Sequence, residues 1–174
     1  MTALTVAALL LFFCLGRWQW HRAQQKRALD QQFSAGAASV TELDGRSGAA
    51  LPRFSEVRLD GRYDGAHQFL LDNMSHDGRV GYQVLTPLQL TDGRTVIVNR
   101  GWIAAGASRA QLPDVQLDAP GLQTPTGRLD DLPVAAIALG RVVPPPDSAW
   151  PKRTSFPTMA DLSVALGRPL ESRQ

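Results

Sequence analysis

The sequence predicts a mainly β (α+β) protein: an N-terminal transmembrane helix followed by an antiparallel β-sheet or small β-barrel domain with a short late helix. Three observations lead there. The uncharged apolar run of residues 2–15 has no counterpart anywhere later in the chain. From Arg53 onward the apolar pattern takes on a period near two, in short segments bounded by Gly or Asp-Gly. Near the end, Thr158 and Asp161 have the spacing of a capping box, and the apolar stretch behind them stops at Gly167.

The first element is an uncleaved anchor over residues 1–16. At 1.5 Å per residue it covers about 22 Å of a hydrocarbon core about 30 Å thick, a short span unless Trp18 and Trp20 extend it. A cleaved signal peptide is the main competitor, but no basic segment precedes the run and bulky Trp, Arg and His follow it where a peptidase needs small residues. Cys14 hints at a lipoprotein, yet Phe12 and Phe13 stand where small residues belong. A buried core helix is the third alternative, disfavoured by the interfacial Trp residues and by Arg17 and Arg22, placed to snorkel.

Residues 17–33 lack Gly and Pro and are rich in Ala, Gln, Lys, Arg and Leu, which predicts a juxtamembrane helical extension. Trp18, Arg22 and Lys26, at i, i+4 and i+8, share one face of it. Residues 34–51 are small, Gly-rich and polar and read as a loose linker. Residues 52–174 form the β-rich domain. Its strands are expected around Phe54, Val57 and Leu59, at 69–71, around Tyr82, Val84 and Leu85, at 96–98 and within 123–129. Thr91-Asp92-Gly93-Arg94 is a strong hairpin signal, and Pro87 argues for an edge or a bulge. Residues 144–146 are three prolines and must be extended loop.

Composition narrows the function. With 18 basic and 16 acidic residues the net charge is only +2, so a pI of 9.1 does not signal nucleic-acid binding. The arginines are scattered among acids and turns rather than striped with aromatics. The single cysteine, Cys14, excludes an intramolecular disulfide and a thiolate metal site.

Chemistry-bearing motifs are sparse. The sequence holds no phosphate loop, no G-x-S-x-G turn, no H-E-x-x-H and no C-x-x-C. His67 and His76 read as solvated loop residues. His21, near the membrane surface, is a weak haem-ligand candidate and otherwise an interfacial anchor. These features point away from an enzyme; the enzymatic alternative pairs Arg100 with an acid such as Asp72 and lacks a nucleophile or metal. Asn99-Arg100-Gly101-Trp102 is more informative, because a Val/Ile strand runs straight into it. Either Arg100 clamps a carboxylate, such as a haem propionate or a partner's acid, or Gly101 makes a bulge, Trp102 caps the core and Arg100 sits in an internal ion pair.

The chain resembles the surfeit-locus family of cytochrome c oxidase assembly factors. The resemblance starts in residues 15–26, read as L-G-x-W-Q-x-x-R-x-x-x-K, and continues through V-x-L-x-G-x-Y at 57–63, G-Y-Q-V-L-T-P-L at 81–88, D-G-R at 92–94 and V-N-R-G-W at 98–102. These blocks keep family order over about residues 15–129. The resemblance implies a bacterial inner (plasma) membrane protein with its β domain in the periplasm, or the mitochondrial equivalent. It implies help with haem a insertion into oxidase subunit I, in the company of haem a synthase and other assembly factors. Haem a contact would be transient. Trp18, Gln19, Arg22 and Lys26 would lie at the membrane surface near partner or haem, and Gly81, Tyr82, Asn99, Arg100, Gly101 and Trp102 would form the domain's part of that site.

Two departures accompany the match. The family has a second transmembrane helix after the β domain and a nearby histidine implicated in haem binding, and both lie outside this sequence; the family also carries basic residues before its first span. The expectation is therefore a fragment, incomplete at its C-terminus. Arg17, Arg22, Lys26 and Arg27 just after the span would by the positive-inside rule face the cytoplasm, opposite to the family topology. The remaining functional alternative is a generic membrane-anchored β-domain adaptor that binds another membrane protein without haem.

Overall fold

The computed structural model describes residues 2–36, 40–43, 48–106, 108, 110–117, 121–134 and 140–173. Helix α1 spans Thr2–Gly36 without interruption, and none of its residues is buried. Leu4, Phe12 and Phe13 are 75%, 68% and 66% exposed, an arrangement that water penalises and a bilayer or a partner relieves. By length and composition α1 can cross a membrane. Its 35 residues reach about 50 Å, so part of it stands clear of a bilayer core.

The stretch expected to be a loose linker contributes to the fold. Val40–Glu42 forms β1, parallel to β2 (Glu56–Arg58), and Gly48–Ala50 makes one 3-10 turn. Leu43 carries the reason: it is buried, its N–H donates to the Arg58 carbonyl at 3.3 Å, and its carbonyl accepts from Arg94 at 2.8 Å. Small residues around one buried leucine concealed a strand held by long-range contacts.

The remaining elements are β3 (Gly61–Tyr63), β4 (Phe69–His76), β5 (Arg79–Leu90), β6 (Thr95–Ala104), β7 (Leu122–Gln123), β8 (Thr126–Arg128), β9 (Lys152–Thr154) and α2 (Met159–Leu166). The single strand expected within 123–129 is two short strands in different sheets. One sheet has the order β1-β2-β8; the other runs β7-β3-β5-β4-β9, with β6 on the opposite edge of β5. Pairing is antiparallel except for β1 with β2 and β4 with β9.

The β5–β6 hairpin turns at the Asp92-Gly93 signal, with the Leu90 N–H donating to the Arg94 carbonyl at 2.8 Å. Pro87 lies neither on an edge strand nor at a bulge, the two places expected for it: β5 has neighbours on both sides, and its register with β6 is regular there. It sits where the neighbour changes from β4 to β3, its carbonyl accepts the Asp64 N–H at 2.8 Å, and the Asp64 carbonyl that Pro87 cannot serve accepts the His67 N–H at 3.3 Å.

Strand alternation divides the core. Phe69, Leu71, Leu85 and Ile97 pack under Leu162 and Ala165 of α2, while Leu70, Tyr82 and Val84 face the other way toward Ile103, Leu112 and Val115. A third cluster, from Leu43, Val57, Leu59, Leu88, Leu90, Val96 and Leu129, joins the two sheets. Helix α2 starts in the expected capping box and ends at Gly167 in the left-handed conformation (φ 75°). Buried Lys152 finds its partners at the far end of α2, donating to the Ala165 carbonyl at 3.0 Å and the Pro146 carbonyl at 2.6 Å, with its ammonium 4.3 Å from the Trp150 ring centre.

Candidate functional site

The motif residues of the β domain meet at one irregularity. Opposite Tyr82, β4 carries two residues, Asp72 and Asn73, between the pairs Leu71↔Gln83 and Met74↔Gly81. Opposite Val84, β6 carries two residues, Arg100 and Gly101, between Leu85↔Asn99 and Gln83↔Trp102. The central strand therefore has a bulge on each side within three residues, and each bulge uses a left-handed residue, Asn73 (φ 61°) and Gly101 (φ 106°). The Asn99 carboxamide supports the second by accepting the Gly101 N–H at 3.0 Å.

Past the bulges, the Trp102 indole crosses over β5 and donates to the Met74 carbonyl on β4 at 2.9 Å. It passes above Gly81, where a Cβ would lie 2.6 Å from the ring and 2.2 Å from the Ile103 carbonyl oxygen. Gly81 and Trp102, which stand in separate motifs of the sequence, are thus joined by steric necessity. Tyr82 is 1% exposed, and its hydroxyl is the buried side-chain polar atom without a hydrogen-bond partner among the described residues.

Of the two readings of Arg100, the internal ion pair is not formed among the described residues, where its contacts are neutral hydrogen-bond acceptors. Its guanidinium donates to Gln68 Oε1 at 3.1 Å and to the Val115 carbonyl at 3.2 Å. Gln68 is buried and fully engaged, accepting also from Thr86 and donating to the Gly65 and Val115 carbonyls. Burial pushes the nearby Tyr63 phenol up, and the Arg100 charge offsets part of that rise. Asp72, the acid of the enzymatic alternative, has its Oδ2 3.8 Å from Arg153 and accepts the Asn73 N–H at 2.7 Å. His67 is not a free loop residue: its Nδ1 lies 2.8 Å from Asp64, and its ring packs edge-on against Trp150.

The second part of the site is the seat of α1. Phe33 packs edge-on to Phe54 at 5.6 Å between ring centres, and the Arg128 guanidinium lies 3.8 Å over the Phe33 ring while donating to the Phe33 carbonyl at 3.0 Å. A Cβ at Gly36 would lie 2.2 Å from the Phe54 carbonyl oxygen, so the helix end rests directly on backbone. Phe54 itself is left-handed (φ 67°), costly for a bulky residue, and is held by its N–H bond to the Leu129 carbonyl at 2.7 Å.

Between this seat and the β6 bulge lies a cavity of about 410 Å³, walled by Phe33, Phe54, Val57, Val96, Val98, Asn99, Gly101 and Arg128. Its volume is in the range of small-ligand sites. Among the lining residues no His, Cys or Met is present, so the cavity offers no axial ligand to a haem iron.

Trp18, Gln19, His21, Arg22 and Lys26 are all exposed on α1, with Arg22 stacked 5.8 Å from the Trp18 ring centre. No hydrogen bond, ion pair or ring contact among the described residues joins them to the β6 bulge. His21 is exposed, and the described residues contain no group of three His, Cys, Asp or Glu that could hold a metal ion. Sequence reasoning missed Phe33, Phe54, Gln68 and Arg128. Phe33 had the one usable signal, a large aromatic closing an otherwise polar helical stretch.

The sequence profile of the SURF1 family matches residues 6–172. A SURF1-like protein of Dictyostelium discoideum is 33% identical over 107 residues, which is 55% of this chain and 40% of that protein. The chain thus spans less than half the length of that relative. No solved structure matches the chain.

Proposed function

Because the chain belongs to the SURF1 family, we propose that it is a membrane-anchored assembly factor for cytochrome c oxidase, assisting delivery of haem a and its insertion into subunit I. It works without catalysis, beside haem a synthase and other oxidase assembly factors. Its anchor α1 crosses the inner membrane of a bacterium or mitochondrion, with the β domain on the periplasmic or intermembrane side. Haem a is cargo in this reading, met in passing rather than enclosed by the domain.

The observation that carries the reading is the convergence of family motifs on one structural unit: Tyr82 lies opposite the β4 bulge with Gly81 next to it, and Asn99 and Trp102 flank the β6 bulge formed by Arg100 and Gly101. Trp18, Gln19, Arg22 and Lys26 form the membrane-proximal part, presented on an exposed helix whose other end is seated on the domain. Deleting the gene should lower the amount of assembled oxidase on native gels, and expression in trans should restore it; unchanged oxidase refutes the proposal. A reporter fused after Lys26 should read as non-cytoplasmic.

The second reading is an adaptor that binds another membrane protein without haem, through helix α1, whose apolar residues are exposed. It predicts that affinity capture recovers membrane proteins other than oxidase components while the haem a content of the deletion strain stays normal.

A further inference from the structure

The cavity beneath α1 lies between two strand edges that pair with no further strand among the described residues. Strand β6 has β5 on one side only, and β8 has β2 on one side only. The bond from the Leu90 N–H to the Arg94 carbonyl sets the alternation of the hairpin, so the backbone groups of Val96 and Val98 point to β5 and those of Ile97 and Asn99 point away. The Thr95 carbonyl, next in that outward series, accepts the Glu171 N–H at 2.9 Å, as the alternation requires. In β8, the bonds from the Leu59 N–H to the Pro125 carbonyl and from the Leu129 N–H to the Ser55 carbonyl leave Thr126 and Arg128 facing outward. All four outward residues line the same cavity.

We infer that this gap takes an extended segment of a partner protein, added as a strand along β6 and β8, with apolar side chains toward Phe54 and Val98 and an acidic one beside Arg128. Both edges offer the N–H and C=O ladder that a strand needs at a spacing of about 4.8 Å. Unpaired edges are normally blunted by charge, proline or a covering element, and here the segment from Ile97 to Asn99 carries neither charge nor proline. Charge selects the partner: the Arg128 guanidinium lies on Phe33 and has no carboxylate within salt-bridge reach among the described residues. The inference rests on these edges and does not depend on the oxidase assignment.

The test uses the full chain in nanodiscs and a panel of capped eight-residue peptides alternating valine or isoleucine with threonine, each with one glutamate. Every peptide has a twin N-methylated at alternate amides and another with lysine for glutamate. Binding of at least one panel member should slow amide exchange at Ile97, Asn99, Thr126 and Arg128 about tenfold, and both twins should bind at least tenfold more weakly. The Arg128→Ala chain should lose the glutamate preference; should that variant unseat α1, the lysine twin still reads the charge. Binding by no panel member, or equal binding of the N-methylated twins with unchanged exchange, overturns the inference. So does slowing of the same amides with rising chain concentration and no peptide, which would make a second copy the occupant. Dodecanoate binding in the absence of peptide binding would make it a lipid site and overturn it as well.

Discussion

Trp102 lies directly across Gly81, reaching over the central strand to donate to the Met74 carbonyl at 2.9 Å. One side chain thereby ties together three strands at the point where two of them bulge. Gly81→Ala should cost about 3 kcal/mol, at the upper end for overpacking, because its Cβ meets the Ile103 backbone oxygen as well as the ring. Trp102→Phe removes the indole bond and should cost about 1 kcal/mol. Urea unfolding of the two variants checks the order, and an equal cost would contradict the steric account.

Gly36 is the matching contact at the helix seat. Gly36→Ala should lift the last turn of α1 off Phe54 while leaving both helix and domain folded. Spin labels at Leu29 and Thr126, in a Cys14→Ser background, should give a narrow distance distribution in the parent and a broad one in the variant. Phe33→Ala should broaden it too, through loss of the stacks with Phe54 and Arg128.

Gln68 makes four hydrogen bonds from a buried position and supports Arg100. Gln68→Leu should cost about 2–3 kcal/mol, because it strands the buried Thr86 hydroxyl and takes one acceptor from Arg100. Gln68→Glu keeps the acceptor for Thr86 and Arg100 but sets an oxygen against the Gly65 and Val115 carbonyls, so it should lose less than Gln68→Leu while remaining below the parent. Thermal denaturation distinguishes the two.

At the start of α2, the Thr158 backbone N–H and then its hydroxyl, followed by Arg141, hold the Asp161 carboxyl down at about 2. Asp64 is likewise lowered: burial would raise it, but the His67 hydrogen bond and charge, and then Arg168, outweigh burial. For a carboxylate depressed in the folded state, its stabilisation is complete above the unfolded value of about 3.9 and disappears as pH falls through the folded one. Asp161→Asn should therefore be about 1 kcal/mol less stable than the parent at pH 5, with the gap closing between about pH 4 and pH 2. A gap that stays constant over that interval contradicts the assignment.

What could be read in advance was local. The apolar run, the Asp92-Gly93 turn and the Thr158/Asp161 box each act within a few residues, and the structure has a helix, a hairpin and a capped helix at those places. β1, the two parallel pairings and the split at 122–128 depend on partners far along the chain, which periodicity does not register. The site divided along the same line. Gly101 showed its bulge in sequence because Gly follows an apolar strand, whereas the bulge at Asp72 and Asn73, the left-handed Phe54 and the acceptors of Arg100 have no local mark.

The most direct test of the assembly role is the haem a signal in reduced-minus-oxidised spectra of membranes from cells lacking this gene, set against the same cells expressing the chain. Haem a absorbance should be strongly reduced in the deletion membranes, with haem b retained, and should recover on complementation. Haem a at the parental level in the deletion membranes would contradict it.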